Sequence, residues 1–135
     1  MVKISNIELA NPIVCAPMAG VTNYAFRSLL IQYGPGLYFN EMVSDQAINY
    51  RNEKTLKMTE VLENEHPIAF QLFGHEIESM VKAAIYLDEN THCDIIDINM
   101  GCPVQKVVKQ GAGSALMKDI EHAAEMVYQI SQAVN

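Results

Sequence analysis

The sequence predicts an α/β fold of parallel βα units, arranged as the N-terminal half of a (β/α)8 barrel. Three observations predict it. Short apolar runs of β character alternate with segments of helical period along the whole chain. Strand starts near residues 13, 37, 68 and 94 are separated by 24, 31 and 26 residues, a spacing that suits right-handed crossovers into a parallel sheet. The 135 residues are close to half of the roughly 250 that a complete barrel needs. A small doubly wound sheet fits the same pattern. No internal linker is apparent, so residues 1–135 read as a single partial domain of four βα units.

Each element has a local reason. Lys3-Ile4, a turn at Ser5-Asn6 and Ile7 to Leu9 form a small hairpin, which Asn11-Pro12 ends. Ile13 to Ala16 is the first buried strand, and Pro17-Met18-Ala19-Gly20 follows it. Thr22 is placed to cap a helix whose apolar stripe is Phe26, Leu29, Leu30 and Tyr33, closed by Gly34. Leu37 to Glu41 is the second strand, with a short helix near Asp45 to Tyr50 and a polar turn from Asn64 to Pro67. Ile68 to Phe73 is the third strand, and Ile77, Met80, Val81, Ala84 and Ile85 mark the helix after it. Asp94 to Asn99 is the fourth strand. A loop with a short helix spans Gly101 to Met117, and Asp119 caps a last helix carrying Ile120, Ala123, Ala124, Val127, Ile130 and Val134.

Composition narrows the classes. Half the residues are apolar and 19% are charged, enough for a packed core and wrong for a disordered chain. No apolar stretch is long enough to cross a bilayer, and the N-terminus lacks the apolar core of a secretory signal. Three cysteines without metal-like pairing suggest a reducing, cytoplasmic setting. The net charge of -7 argues against broad nucleic-acid binding by this chain alone.

The unusual residues collect where the predicted strands end. Pro17 to Gly20, Glu41-Met42, Gln71 and the run Asn99 to Pro103 all lie towards carboxyl ends, the rim at which parallel α/β folds bind ligands. Cys102 is the most chemically loaded position. Gly101 permits an unusual backbone angle, Pro103 is placed to start a helix, and a thiol near a helix N-terminus exchanges protons readily. Cys15, inside a strand, reads as core, and Cys93 as incidental. Gln71 is an amide in an apolar strand. It either pairs with backbone or meets the paired donors and acceptors of a uracil-like or flavin ring edge, and Asn99 has the same two readings. Asp97 shares a face with Asn99 and suits a polar network in the barrel interior better than catalysis. Pro17 to Gly20 reads as an ordinary turn, in which Met18 offers an adaptable apolar contact.

Other features carry less. Gly111 to Ala115 lacks both the third glycine of a dinucleotide loop and the Lys-Ser/Thr of a P-loop, and reads as a hinge. Lys106 and Lys109 read as solvated charges. His75-Glu76 has no second histidine four residues on, and His66, His92 and His122 are isolated; no metal site is expected.

Two strings taken together, Ala16-Pro17-Met18-Ala19-Gly20-Val21-Thr22 and Asp97-Ile98-Asn99-Met100-Gly101-Cys102-Pro103-Val104, resemble the tRNA-dihydrouridine synthases. Gln71 in Phe70 to Gly74, and the run Lys109 to Leu116, fit the same family in order and spacing. The resemblance implies a flavin-dependent barrel that reduces the C5–C6 double bond of uridines in tRNA. In such enzymes NADPH reduces FMN, hydride goes to C6 of a flipped-out base, and a cysteine thiol protonates C5. It implies Cys102 as the general acid, Pro17, Met18 and Ala19 against the flavin, Gln71 on the ring edge and Asn99 on the target base. It also implies a second half barrel and a helical tRNA-binding domain, which this chain lacks. The expectation is therefore a fragment, inactive by itself, whose tRNA contacts lie mainly elsewhere and which pairs with another half. Alternatives are a different flavin barrel reductase, acting on a pyrimidine or enone, and a half barrel without catalysis.

Overall fold

The computed structural model describes residues 2–135. β1 (Val2–Ile4) and β2 (Ile7–Leu9) form the expected antiparallel hairpin, with Ser5 in a left-handed conformation at its turn. The other strands are β3 (Tyr38–Phe39), β4 (Val43–Ser44), β5 (Ile68–Phe73) and β6 (Ile95–Ile98). The helices are α1 (Tyr24–Leu30), α2 (Asp45–Asn49), α3 (Glu53–Lys57), α4 (Ile77–Asn90), α5 (Gln105–Val108) and α6 (Ile120–Ala133).

All pairing outside the hairpin is parallel. Val14 bridges Leu37, β3 and β4 line one side of β5, and β6 lies on its other side. The order across the sheet follows the order along the chain. A doubly wound sheet reverses that order at a switch point, so the barrel reading is the one supported. The sheet stays open among the described residues, as a partial barrel.

Two corrections concern the strands. The run from Ile13 to Ala16 contributes a single bridge rather than a buried strand, with Ile13 66% and Val14 46% exposed. It is an edge with one neighbour, so only one of its sides is paired. The second strand is split in two. Phe39 pairs with Ala69 and Val43 with Leu72, so four residues advance on one strand against three on the other. The extra residue in Asn40-Glu41-Met42 is a bulge, a device that re-aims side chains beside sites.

Alternation along β5 builds two cores. Ile68, Phe70 and Leu72 face the helices and pack with Met80, Ala83, Ala84 and Leu87 of α4. Fully burying a side chain such as Phe70 or Leu72 contributes about 1.5–3 kcal/mol. Ala69 faces the other way and joins Leu9 and Leu37, with Ile7, Phe39 and Ile95 packed against them. The hairpin thus plugs the amino-terminal end of the sheet's inner face. Gln71 lies on that inner face, two residues nearer the carboxyl end.

The helical stripes are only partly covered. α6 buries Met126 and Ile130 against α4, but Ile120, Val127 and Tyr128 stay exposed around a shallow apolar groove of about 570 Å³. Leu29 in α1 and Tyr33 in the 3-10 turn Ile31–Tyr33 that follows it are exposed although they belong to the predicted stripe. Those faces point away from the sheet that the described residues provide. Thr22 is not the cap of α1: Asn23 is, accepting a bond from the backbone N–H of Phe26. Asp119 caps α6 as expected, through the N–H of His122.

Candidate active site at the carboxyl rim

The rim clusters come together through a continuous run of hydrogen bonds. Gln71 and Asp97 are register partners on adjacent strands, and Asn99 follows Asp97 on the same face. Gln71 Nε2 donates to Asp97 Oδ2 at 2.6 Å, and Asn99 Nδ2 donates to Gln71 Oε1 at 2.8 Å. Asn99 Oδ1 then accepts the backbone N–H groups of Gly101 and Cys102, at 3.2 and 2.9 Å. Asp97 therefore belongs to an interior polar network, as expected. Cys102 is half-buried at the end of it.

The bulge reaches the same place from strand two. Met42 Sδ lies 3.6 Å from Asn99 Nδ2, and the Glu41 carboxylate accepts the backbone N–H of Gly20. Asn40 is fully buried, and its Oδ1 accepts the N–H of Gln71 at 3.1 Å. Among the described residues its Nδ2 has no partner. Thr22 closes the flanking turn, donating to Met18 O and accepting from Met18 N. Pro17 is half-buried, while Met18 and Ala19 are exposed there.

Beneath that turn lies an ion pair that sequence reasoning missed. Arg27 is 1% and Glu65 0% exposed, and the guanidinium grips both carboxylate oxygens at 2.9 and 3.2 Å. Arg27 also donates to the carbonyls of Thr22 and Glu60, and Glu65 accepts from the N–H of Leu62. No local motif marks two charges 38 residues apart in sequence. Asn40 was more accessible: like Gln71, it is an amide inside an apolar run.

The loop after the fourth strand differs from expectation. Gly101 does not adopt a left-handed angle; Gly111 and Gly113 do. A Cβ on Gly113 would stand 2.6 Å from the carbonyl oxygen of Cys102, and one on Gly111 2.6 Å from the ring of His75. These glycines allow close packing where a hinge was expected. Pro103 lies two residues ahead of α5 instead of starting it. His122 and His66 are not isolated. His122 stacks on His75 at 4.6 Å and donates to its carbonyl, and His66 donates to Asp94 Oδ2 at 2.7 Å. His75 Nδ1 donates to the Gly111 carbonyl, tying the Cys102 loop to the start of α4.

Burial pushes the thiols of Cys15 and Cys93 above the ordinary cysteine range, which keeps them protonated. Neither reaches the rim network. Among the described residues, no group of three or more His, Cys, Asp or Glu side chains is placed to hold a metal ion, and no helix is long and apolar enough to cross a membrane.

A family model described as dihydrouridine synthase matches residues 14–135. The chain belongs to the dihydrouridine synthase family. It is 41% identical over 135 residues to a probable tRNA-dihydrouridine synthase of Rickettsia conorii, covering 99% of this chain and 40% of that protein. It is 43% identical over 121 residues to a probable tRNA-dihydrouridine synthase of Mycobacterium tuberculosis, covering 84% of the chain and 31% of the relative. It is 42% identical over 133 residues to tRNA-dihydrouridine synthase B of Vibrio vulnificus, covering 98% and 39%. The chain thus spans about two fifths of the length of these relatives. The α/β partial barrel observed here agrees with this membership.

Proposed function

We propose that this chain is the first half of the catalytic barrel of an FMN-dependent tRNA-dihydrouridine synthase that uses NADPH. The supporting observation is the hydrogen-bonded run that ends at Cys102 on the carboxyl rim. The residues present fit one face of a flat ring. Gln71 bonds once through each amide atom, so one N–H and one lone pair remain for a ring edge. Met18, 40% exposed, with Pro17 and Ala19, offers apolar and backbone contact above it.

Bound FMN would supply hydride to C6 of the uracil ring. Cys102 gives its Sγ proton to C5, completing the reduction of the double bond, and is reprotonated from solvent. Asn99 contributes in two ways. Its Oδ1 holds the Cys102 turn, and its Nδ2 bond to the weak sulfur acceptor of Met42 is exchangeable for a carbonyl of the base. The remaining parts belong to the rest of the barrel and a helical domain, which this reading also charges with most of the tRNA contact. A chain with net charge -7 has little capacity for phosphates. The working place is the cytoplasm. By this reading the 135 residues alone are inactive, and the apolar groove on α6 and the bare edge at Val14 are where a second half fits.

The test is Cys102→Ala in the full-length protein. It should retain flavin and its reduction by NADPH while dihydrouridine formation in tRNA falls by roughly the 10²–10⁴-fold typical of a lost acid. Loss of flavin binding in that variant would make Cys102 structural instead.

A further inference from the structure

Asp97, Gln71 and Asn99 form a chain with a direction. A carboxylate only accepts, so Gln71 must turn its Nε2 to Asp97 and its Oε1 to Asn99. Asn99 must then point Nδ2 back at Gln71, which leaves Oδ1 for the N–H groups of Gly101 and Cys102. Backbone N–H groups only donate, so the far end imposes the same direction. Both ends agree, and no amide between them is free to turn over.

We infer that Asp97 is a positioning residue: as the acceptor for Gln71 it acts with the N–H groups of the turn to fix the orientation of the Gln71 and Asn99 amides, and through them holds the turn that carries Cys102. The inference rests on Cys102 being the reacting thiol, and it deepens that reading by naming what sets its place. It also fixes which side of Gln71 keeps its free N–H and which its free lone pair. The donor and acceptor pattern shown to a ring edge is therefore set jointly by Asp97, one strand away, and by the turn at Cys102.

Direction can be tested by reversing it. Asn99→Asp puts two oxygens face to face at Gln71. Turning Gln71 over only moves the clash to Asp97. Asp97→Asn alone is mild, because the oxygen of the new amide still accepts from Gln71. Asp97→Asn combined with Asn99→Asp satisfies the run from strand three to the turn again, with Gln71 turned over and only the weak contact with Met42 Sδ lost. A second pair repeats the logic: Gln71→Glu sets carboxylate against carboxylate, and adding Asp97→Asn supplies a donor.

The measurement is the alkylation rate of Cys102 by iodoacetamide across a pH series in the full-length protein, followed by peptide mapping, with no flavin or tRNA needed. In Asn99→Asp the repulsion at Gln71 pushes the new carboxylate off the turn, which should raise the limiting alkylation rate of the half-buried thiol at high pH about tenfold, the equivalent of one hydrogen bond to a charged or buried group. Asp97→Asn should stay within about twofold, and the double variant should return to the wild-type limiting rate at high pH. A purely structural role for the two positions would make the double variant at least as perturbed as Asn99→Asp, and that result overturns the inference. So does an unperturbed Asn99→Asp. Should Asn99→Asp fail to fold, the double variant and the Gln71→Glu pair decide; if both double variants also fail, the inference is wrong. Flavin absorbance of the wild-type protein, measured separately, tests the underlying reading without touching this comparison.

Discussion

Glu65→Gln is the perturbation that most directly weighs the buried ion pair under the Met18 turn. Glu65 accepts three bonds: two from Arg27, at 2.9 and 3.2 Å, and one from Leu62 N–H at 2.7 Å. Glutamine keeps one oxygen, which can still serve Leu62 and one guanidinium nitrogen. The other position becomes an NH2 facing the Arg27 Nε–H. The variant therefore loses a charge-assisted bond, sets donor against donor, and leaves a guanidinium that is 1% exposed without its counter-charge. Breaking a buried pair from one side costs about 3–5 kcal/mol. At about 2.1 cal/mol/K of unfolding entropy per residue, 135 residues give about 0.28 kcal/mol/K, so Tm should fall by about 10 °C or more. Denaturant and thermal unfolding of the variant beside Glu8→Gln provide the assay. Glu8 pairs with Lys3 at 3.6 Å in the open, where such a pair contributes about 0–1 kcal/mol at most. A Glu65→Gln protein within about 1 kcal/mol of wild type would show that Arg27 finds enough compensation from the carbonyls of Thr22 and Glu60, and would refute this reasoning.

Three further outcomes follow from the geometry. Gln71→Ala should weaken flavin retention by roughly tenfold, read by equilibrium dialysis of the full-length protein, since it removes the free N–H and lone pair that Gln71 offers a ring edge; unchanged affinity would take Gln71 out of the site. Gly113→Ala should destabilise by about 1–3 kcal/mol, because its φ of 60° and the Cys102 carbonyl 2.6 Å from a new Cβ both oppose it; Gly101→Ala meets nothing within 4 Å and serves as the control. The raised Cys93 thiol, caused first by burial, binds its proton more tightly folded than unfolded. Its contribution to stability is full below the ordinary thiol range and is lost as pH rises from there through the raised folded value, so a Cys93→Ser variant should show a flatter loss of stability at alkaline pH.

How much of this was legible in the sequence depends on how local the cause is. β5 and the cap of α6 were readable to the residue, because an apolar run bounded by proline and glycine, and an aspartate before a helical stripe, act on their own neighbours. The rim cluster was readable as a place, since strand ends can be counted. Its wiring was not. Whether Gln71 met backbone, ligand or side chain turned on its register with Asp97 in β6 and on the bulge in strand two, and both are set by pairing across the sheet. The Arg27–Glu65 pair was hidden for the same reason. The exposed stripe of α6 erred in the other direction: amphipathic period records which face prefers to be buried, while coverage depends on what stands opposite.

The extra residue in strand two acts like a shift of reading frame. Phe39 turns inward to pack with Leu9 and Leu37, and an unbroken strand would turn Val43 inward as well, four residues on. The inserted residue changes the parity, so Val43 joins the outer core with Phe70 and Leu72 while Met42 is presented to Asn99. Deleting any one residue from Asn40 to Met42 would restore the frame. The sheet would lose its partner for Asn99 and swing Val43 out of the helical layer in a single step, so at this point the number of residues in the chain matters more than their identity.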